Sequence, residues 1–373
     1  MKELKKAFSL KTFSFPLKSQ SNLSYYKTLK KGLDLFEDKI IKLKSNDELS
    51  RRIKAEFENI EANNKKILQV ISSYLLGNSG KAYNLLEELL ESNFYREKIS
   101  FLIEKDNSSS NGNSKLLRIR VSEEQLSTRE EMFHIPFSKR HLVANQRFSI
   151  AGLPCLYLGS SIYVCWLELG RKDFGELWIS GYQSQNNFKL LNLAYDLNII
   201  INQYERNEID SEQLINYFLL WPLVMASCFQ VKYPKAPFHE EYIIPSLLLQ
   251  WITFKNDNIV GLKYLSTKLE SYENFEYGIN YVFSPLEITD EYDFCPKLKN
   301  RFNLSNPLSW ELMSILPPVD VAVCGEGIKA ENIEDALLKN YKISRFGYIE
   351  KQVFSMQFDQ IKNPKVANNM YSA

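Results

Sequence analysis

A single carboxylate, Glu168, closes the apolar run RFSIAGLPCLYLGSSIYVCWLE at residues 147–168, a stretch that opens on Arg147 and turns at Gly159-Ser160. Ser160 or Ser161 can cap a helix here, and Ser161, Val164, Cys165 and Glu168 then fall at i, i+3, i+4 and i+7 on one stripe. A carboxylate among apolar neighbours is costly unless paired or hydrogen-bonded, which makes Glu168 a functional candidate suited to stabilising positive charge. The competing reading is a partly exposed glutamate near a helix end, paired with Arg171 three residues on. In LPCLYLG, alternation sets Leu153, Cys155, Tyr157 and Gly159 on one face and Pro154, Leu156 and Leu158 on the other. Tyr157 therefore points away from its leucine neighbours.

The elements that must position these groups follow from periodicity. Residues 24 to about 100 repeat apolar positions at three and four, as in Ile53, Phe57, Ile60, then Ile67, Val70, Ile71, then Leu85, Leu86, Leu89, Leu90, which predicts a helical bundle. Gly77-Asn78-Ser79-Gly80 punctuates it, and Lys81 onward starts another helix. DNSSSNGNS at 106–114 reads as a linker or exposed loop. Beyond it LLRIRV, LPCLYLG, FKLLNLA and IVGLKYLS read as strands, with helices around 210–230 and 240–254. The expected fold class is α+β, divided as a helical domain at 1–112, a second domain at 113–290 and a C-terminal extension at 291–373 packed on the second domain.

Composition excludes several classes. Lys+Arg is 46 against Asp+Glu 45, so no field spans the whole protein to draw nucleic acid or anionic lipid, and any charged ligand needs a local cluster. The five cysteines are dispersed in apolar contexts without CxxC spacing, which fits a reducing cytoplasm and predicts no metal site. The N-terminus lacks the pattern of a secretory signal, and the apolar run YFLLWPLVMASCF is too short for a membrane span and contains Pro222. His134, His141 and His239 are read as structural, and Lys139-Arg140 and Arg171-Lys172 as solvated surface.

The run from Arg147 to Glu168 resembles the core of the RES domain family, named for its Arg, Glu and Ser. The matching positions are Arg147, Gly152, Pro154, Leu156, Tyr157, Ser161 and Glu168, with Arg118 or Arg120 in LLRIRV as the family's first arginine and Ser266 closing GLKYLS. The resemblance implies an ADP-ribosyltransferase-like fold that binds NAD+ and, in toxin members, degrades it without a metal. On that footing Glu168 stabilises the oxocarbenium-like ribose as the nicotinamide bond breaks. Arg118 and Arg147 hold the pyrophosphate or its ribose, Tyr157 stacks on the nicotinamide, and Ser266 is a hydrogen-bonding group with no base beside it to make it a nucleophile.

The implied activity is NAD+ glycohydrolase, as an intracellular toxin or antiphage defence effector. The alternatives are an ADP-ribosyltransferase acting on a macromolecule and a non-catalytic nucleotide-sensing module. Such a toxin requires restraint, by an inhibitory partner protein or by self-assembly. The N-terminal bundle resembles the HEPN-like helical domains that precede some RES domains, but no histidine precedes His134, which argues against ribonuclease chemistry there.

Overall fold

Helices with one apolar stripe need something to cover, and helices apolar all round need covering on every side. The chain holds both kinds, and the second lies far downstream of the first. The computed structural model describes residues 2–20, 22–44, 48–105, 115–185, 188–255, 259–269, 275–289, 291–311 and 337–363. Contacts divide it into two compact units, one made of Met1–Glu104, Gln146–Ser149 and Leu191–Asn256, the other of Lys105–Asn145, Ile150–Leu190 and Asp257–Ala373.

In the first unit the amphipathic helices Tyr25–Ile41, Glu48–Ala55 and Phe57–Leu75 pack against Ser211–Ser227, whose residues from Leu214 to Ser227 are all buried, and Ser79–Leu90 packs on Phe57–Leu75. Asp210 and Gln213 close a reciprocal capping box at its start. Phe8 packs edge-on against Phe218 at 5.0 Å, and Trp251 of the helix Ile243–Lys255 donates to Glu91 at 2.9 Å. Gly77, at φ +82°, ends one helix, and the Asn78 side chain caps the next at Ser79 by accepting from the Lys81 amide. Residues 191–256, read from sequence as part of the second domain, thus belong to the helical unit. The reason is burial: two helices without a polar face find much of their covering on the N-terminal stripes. The expected linker at 106–114, the boundary at 112/113, Cys324 and residues 312–336 lie outside the described residues.

The second unit is built on an antiparallel sheet of β1 (Lys115–Val121), β2 (Leu156–Gly159), β3 (Leu177–Ser184), β4 (Ile259–Leu265), β5 (Ile279–Phe283), β6 (Phe302–Leu304) and β7 (Leu308–Ser309). Among these strands the order is β6-β3-β1-β2-β5-β4, with β7 beside β3. The fold class is α+β. β2 begins at Leu156, later than alternation predicts, because Pro154 has no N–H for a ladder and Gly152 at φ +72° turns the chain just before it.

Residues paired in register share a face of the sheet. One row runs Gly181, Leu117, Gly159, Asn280, Tyr264 across β3, β1, β2, β5 and β4. Its two glycines admit helices. A Cβ at Gly181 would meet Val353 at 2.8 Å, on the helix Arg345–Ser355, and one at Gly159 would meet Cys165 Sγ at 2.5 Å and Val164 at 2.7 Å, on the helix Ile162–Glu168. Gly159→Ala is expected to lift the latter helix and destabilise the protein by about 1–3 kcal/mol, as overpacking does. Urea unfolding reads this directly, and a midpoint equal to the wild type would mean the helix yields without cost. The other face carries the aromatic core of Tyr182, Phe188, Phe283 and Phe302.

Candidate active site

Glu168 is the last residue of a two-turn helix whose first turn is capped by Ser161, the Oγ accepting from the Val164 amide at 3.0 Å. Gly170 (φ +79°) and Arg171 (φ +57°) then reverse the chain in the left-handed region. Because the helix rests on Gly159, its far end reaches the next residue of the same row, Asn280. The Glu168 Oε1 accepts from Asn280 Nδ2 at 2.7 Å and from Ser266 Oγ at 2.6 Å. Ser266 is fully buried and Asn280 is 6 % exposed. Hydrogen bonds to a charged acceptor are each worth about 1.5–3 kcal/mol, so Oε1 is firmly held.

Oε2 faces the half-open side, where Lys268 Nζ lies 3.3 Å away and also donates to the Glu168 carbonyl at 2.7 Å. The lysine side chain is 44 % exposed, and an ion pair so open to water contributes at most about 1 kcal/mol. The carboxylate therefore has one oxygen fixed and one available. Lys268 is thus a cationic partner of this carboxylate that the sequence pattern does not name.

Ser266 follows β4 directly, its amide donating to the Gly278 carbonyl at 2.8 Å and its Oγ accepting from the Lys268 amide at 3.2 Å. The hydroxyl is thus committed as a donor to Glu168.

Arg118 alternates with Leu117 and so leaves β1 from the side opposite the glycine row. β1 and β2 share one register pair, Leu117 with Gly159, against seven between β1 and β3. Across that split Arg118 Nη1 donates to the Tyr157 carbonyl at 3.0 Å, while its buried Nε has no hydrogen-bond partner among the described residues. Arg120, two residues on, is half-buried, and burial together with the Arg118 charge pushes it down to about 10. Burial holds the Tyr157 phenol well above its usual range.

Arg147 belongs to the first unit, where it is buried, donates to the Ser227 carbonyl at 3.3 Å and lies over the Tyr242 ring at 5.3 Å. The structure thus joins Glu168 to Ser266, joins Arg118 to the backbone of Tyr157, and sets Arg147 among residues of the helical unit. Sequence pattern does not single out Asn280 or Lys268. The available signal for Asn280 is an amide in the otherwise apolar strand INYVF, a polar group that burial obliges to find a partner.

The chain is similar to a protein named as a toxin. Over 206 residues it is 36 % identical to "Putative toxin YopC" of Bacillus subtilis (strain 168), a match covering 53 % of this chain and 46 % of that protein. The chain therefore spans about half the length of YopC. No protein-family profile and no solved structure matches it. No helix among the described residues is long and apolar enough to cross a membrane.

His134 is enclosed by Phe133, Phe137 and Phe294, with Nδ1 2.7 Å from the Ile135 carbonyl and Nε2 accepting from the Cys295 amide at 2.9 Å. Burial pushes it down to about 4, so it is neutral at physiological pH and structural.

Proposed function

We propose that the protein is a RES-type NAD+ glycohydrolase that acts as an intracellular toxin. The observation that carries this reading is the Glu168 carboxylate, with Oε1 fixed by two buried donors and Oε2 turned toward the open side. In the proposed reaction the bond between C1′ of the ribose and the nicotinamide nitrogen breaks, and its electron pair leaves with nicotinamide. The ribose acquires oxocarbenium character, and the Glu168 carboxylate stabilises that charge. Water adds at C1′ and loses a proton, giving ADP-ribose. The fixed Oε1 keeps the carboxylate from turning away as the charge develops, and Lys268, held weakly, yields Oε2 to the nicotinamide-ribosyl end of the substrate, where the positive charge sits.

Arg118 and Arg120 are assigned to the pyrophosphate. Two half-buried guanidinium groups side by side on a strand repel one another, and an anion relieves that repulsion. Tyr157 keeps the role that the family resemblance implies, at the nicotinamide ring, and Arg147, held in the helical unit, is given no part in this site. The name of the Bacillus relative supports a toxin, and a toxin of this kind needs an inhibitory partner or self-assembly to restrain it.

Incubation of the purified protein with NAD+ tests the reading, with nicotinamide and ADP-ribose measured together. Stoichiometric release of both is expected. Label from the adenylate moiety appearing on a macromolecule would instead mean transfer, and an unchanged NAD+ pool would overturn the proposal. Asn280→Ala removes one of the two donors to Oε1 and is expected to lower kcat at least about 10-fold, since a bond to a charged acceptor is worth about 1.5–3 kcal/mol and about 1.4 kcal/mol is tenfold in rate. A kcat unchanged in this variant would mean that Ser266 alone orients the carboxylate.

A further inference from the structure

The helix that ends in Glu168 is held at its start by side chains from a distant part of the sequence. An α-helix leaves its first N–H groups without intrahelical partners. Here Ile162 N donates to Glu350 Oε1 at 2.7 Å, Tyr163 N donates to the Tyr341 hydroxyl at 3.3 Å, and Val164 N is taken by Ser161. The Tyr341 hydroxyl in turn donates to the same Glu350 oxygen. Tyr341 stacks on Tyr277 at 4.2 Å, and the Tyr277 carbonyl accepts from Ser161 Oγ at 2.5 Å, so the ring is itself locked. Phe346, one turn before Glu350 on the helix Arg345–Ser355, packs against Tyr163 at 5.6 Å and Trp166 at 5.9 Å.

We propose that Glu350 and Tyr341 are positioning residues for the Glu168 carboxylate, anchoring the first turn of its helix so that the C-terminal segment is part of the site. This rests on the reading of Glu168 as the reacting carboxylate. The helix has seven residues, and at 1.5 Å per residue it is about 10 Å long, so a tilt of roughly 10° at its anchored end moves Glu168 by about 2 Å. Displacements of that size cost on the order of 100-fold in rate. Glu350 is also a costly choice for a merely structural contact. No lysine or arginine among the described residues lies within ion-pair distance of it, and burial pushes it up to about 7.

The test compares Glu350→Ala, Glu350→Gln and Tyr341→Phe for NAD+ turnover and for amide hydrogen exchange across residues 162–168. Glu350→Ala is expected to lower kcat by about 10- to 100-fold with KM within about twofold, and to speed exchange at Ile162 and Tyr163. Glu350→Gln, whose carboxamide oxygen still accepts both bonds, is expected to restore most of kcat and of the protection. Tyr341→Phe, which loses one hydroxyl, is expected to fall between them and serves if the alanine variant does not fold. Wild-type kcat in Glu350→Ala, or an equal loss in Glu350→Gln, would overturn the anchor. If the wild type consumed no NAD+, the catalytic reading of Glu168 would fall by itself. Exchange would still decide the anchor, with unchanged protection in Glu350→Ala counting against it.

Discussion

Glu168→Gln is expected to lower NAD+ turnover by about 1000-fold, at the upper end of what one electrostatic group contributes to a transition state. The substitution preserves shape. A carboxamide oxygen still accepts from Ser266 and Asn280, so both buried donors keep a partner and the fold is expected to hold. What disappears is the negative charge opposite the developing ribosyl cation. Glu168→Ala is the harsher change, because it leaves Ser266 and Asn280 buried and unsatisfied at about 1–3 kcal/mol each. The glutamine variant is thus the cleaner probe of chemistry, and the alanine variant of stability. Initial rates of nicotinamide release, measured beside thermal melting, separate the two. Turnover above a tenth of wild type in a well-folded Glu168→Gln would remove Glu168 from the reaction. Expression of the same variant in a host is expected to relieve growth arrest.

Stability is expected to fall as pH rises from about 5 to 8, by about 3 kcal/mol from Glu350 alone. The sign follows from where the proton sits. Burial raises the folded-state value to about 7 from an ordinary 4.5, so below 4.5 the group is protonated in both states. Between 4.5 and 7 the unfolded chain releases the proton while the folded one keeps it, and each pH unit favours unfolding. The contribution is therefore complete below the unfolded value and gone above the folded one. The groups facing Glu350 are the Tyr341 hydroxyl and the Ile162 amide, with Tyr277 and Cys165 nearby, and none is cationic. Glu350→Gln removes this component. Denaturant midpoints for both proteins across the range should converge near pH 5 and diverge toward pH 8, the variant being the more stable there. Superimposable profiles would show that Glu350 titrates normally.

Much of the site is legible in local sequence pattern. The alternation of LLRIRV and IVGLKYLS predicts β1 and β4, and the three-and-four spacing of IYVCWLE sets Glu168 on a helix face. Glu168 and Ser266 lie 98 residues apart and meet at 2.6 Å, a contact that no local spacing announces. What stays hidden is decided across the sheet or between remote elements. Asn280 matters because it sits beside Gly159 in one register row, and register has no signature within a single strand. Lys268 reaches Glu168 from 100 residues along the chain, by way of the turn that follows β4, so nothing in local spacing points to it. Pattern alone places the helices Ser211–Ser227 and Ile243–Lys255 in the wrong neighbourhood, because an all-apolar helix says that it is buried without saying against what.

The span between Ile162 and Glu350, 188 residues, also sets a clock during synthesis. At ~5–20 residues per second a ribosome needs ~10–40 s to travel that far. Throughout it the segment bearing Glu168 is already made, while the residue that grips its helix is not. Ser266 and Asn280 arrive part-way through that interval, and Tyr341 and Glu350 only at its end. A ribosome that stalls, or a message cut short, yields a chain whose carboxylate lacks its anchor. For a protein proposed to empty the NAD+ pool of its own maker, the order in which the residues are made delays the hazard until Glu350 has been added, which leaves an inhibitor time to be present.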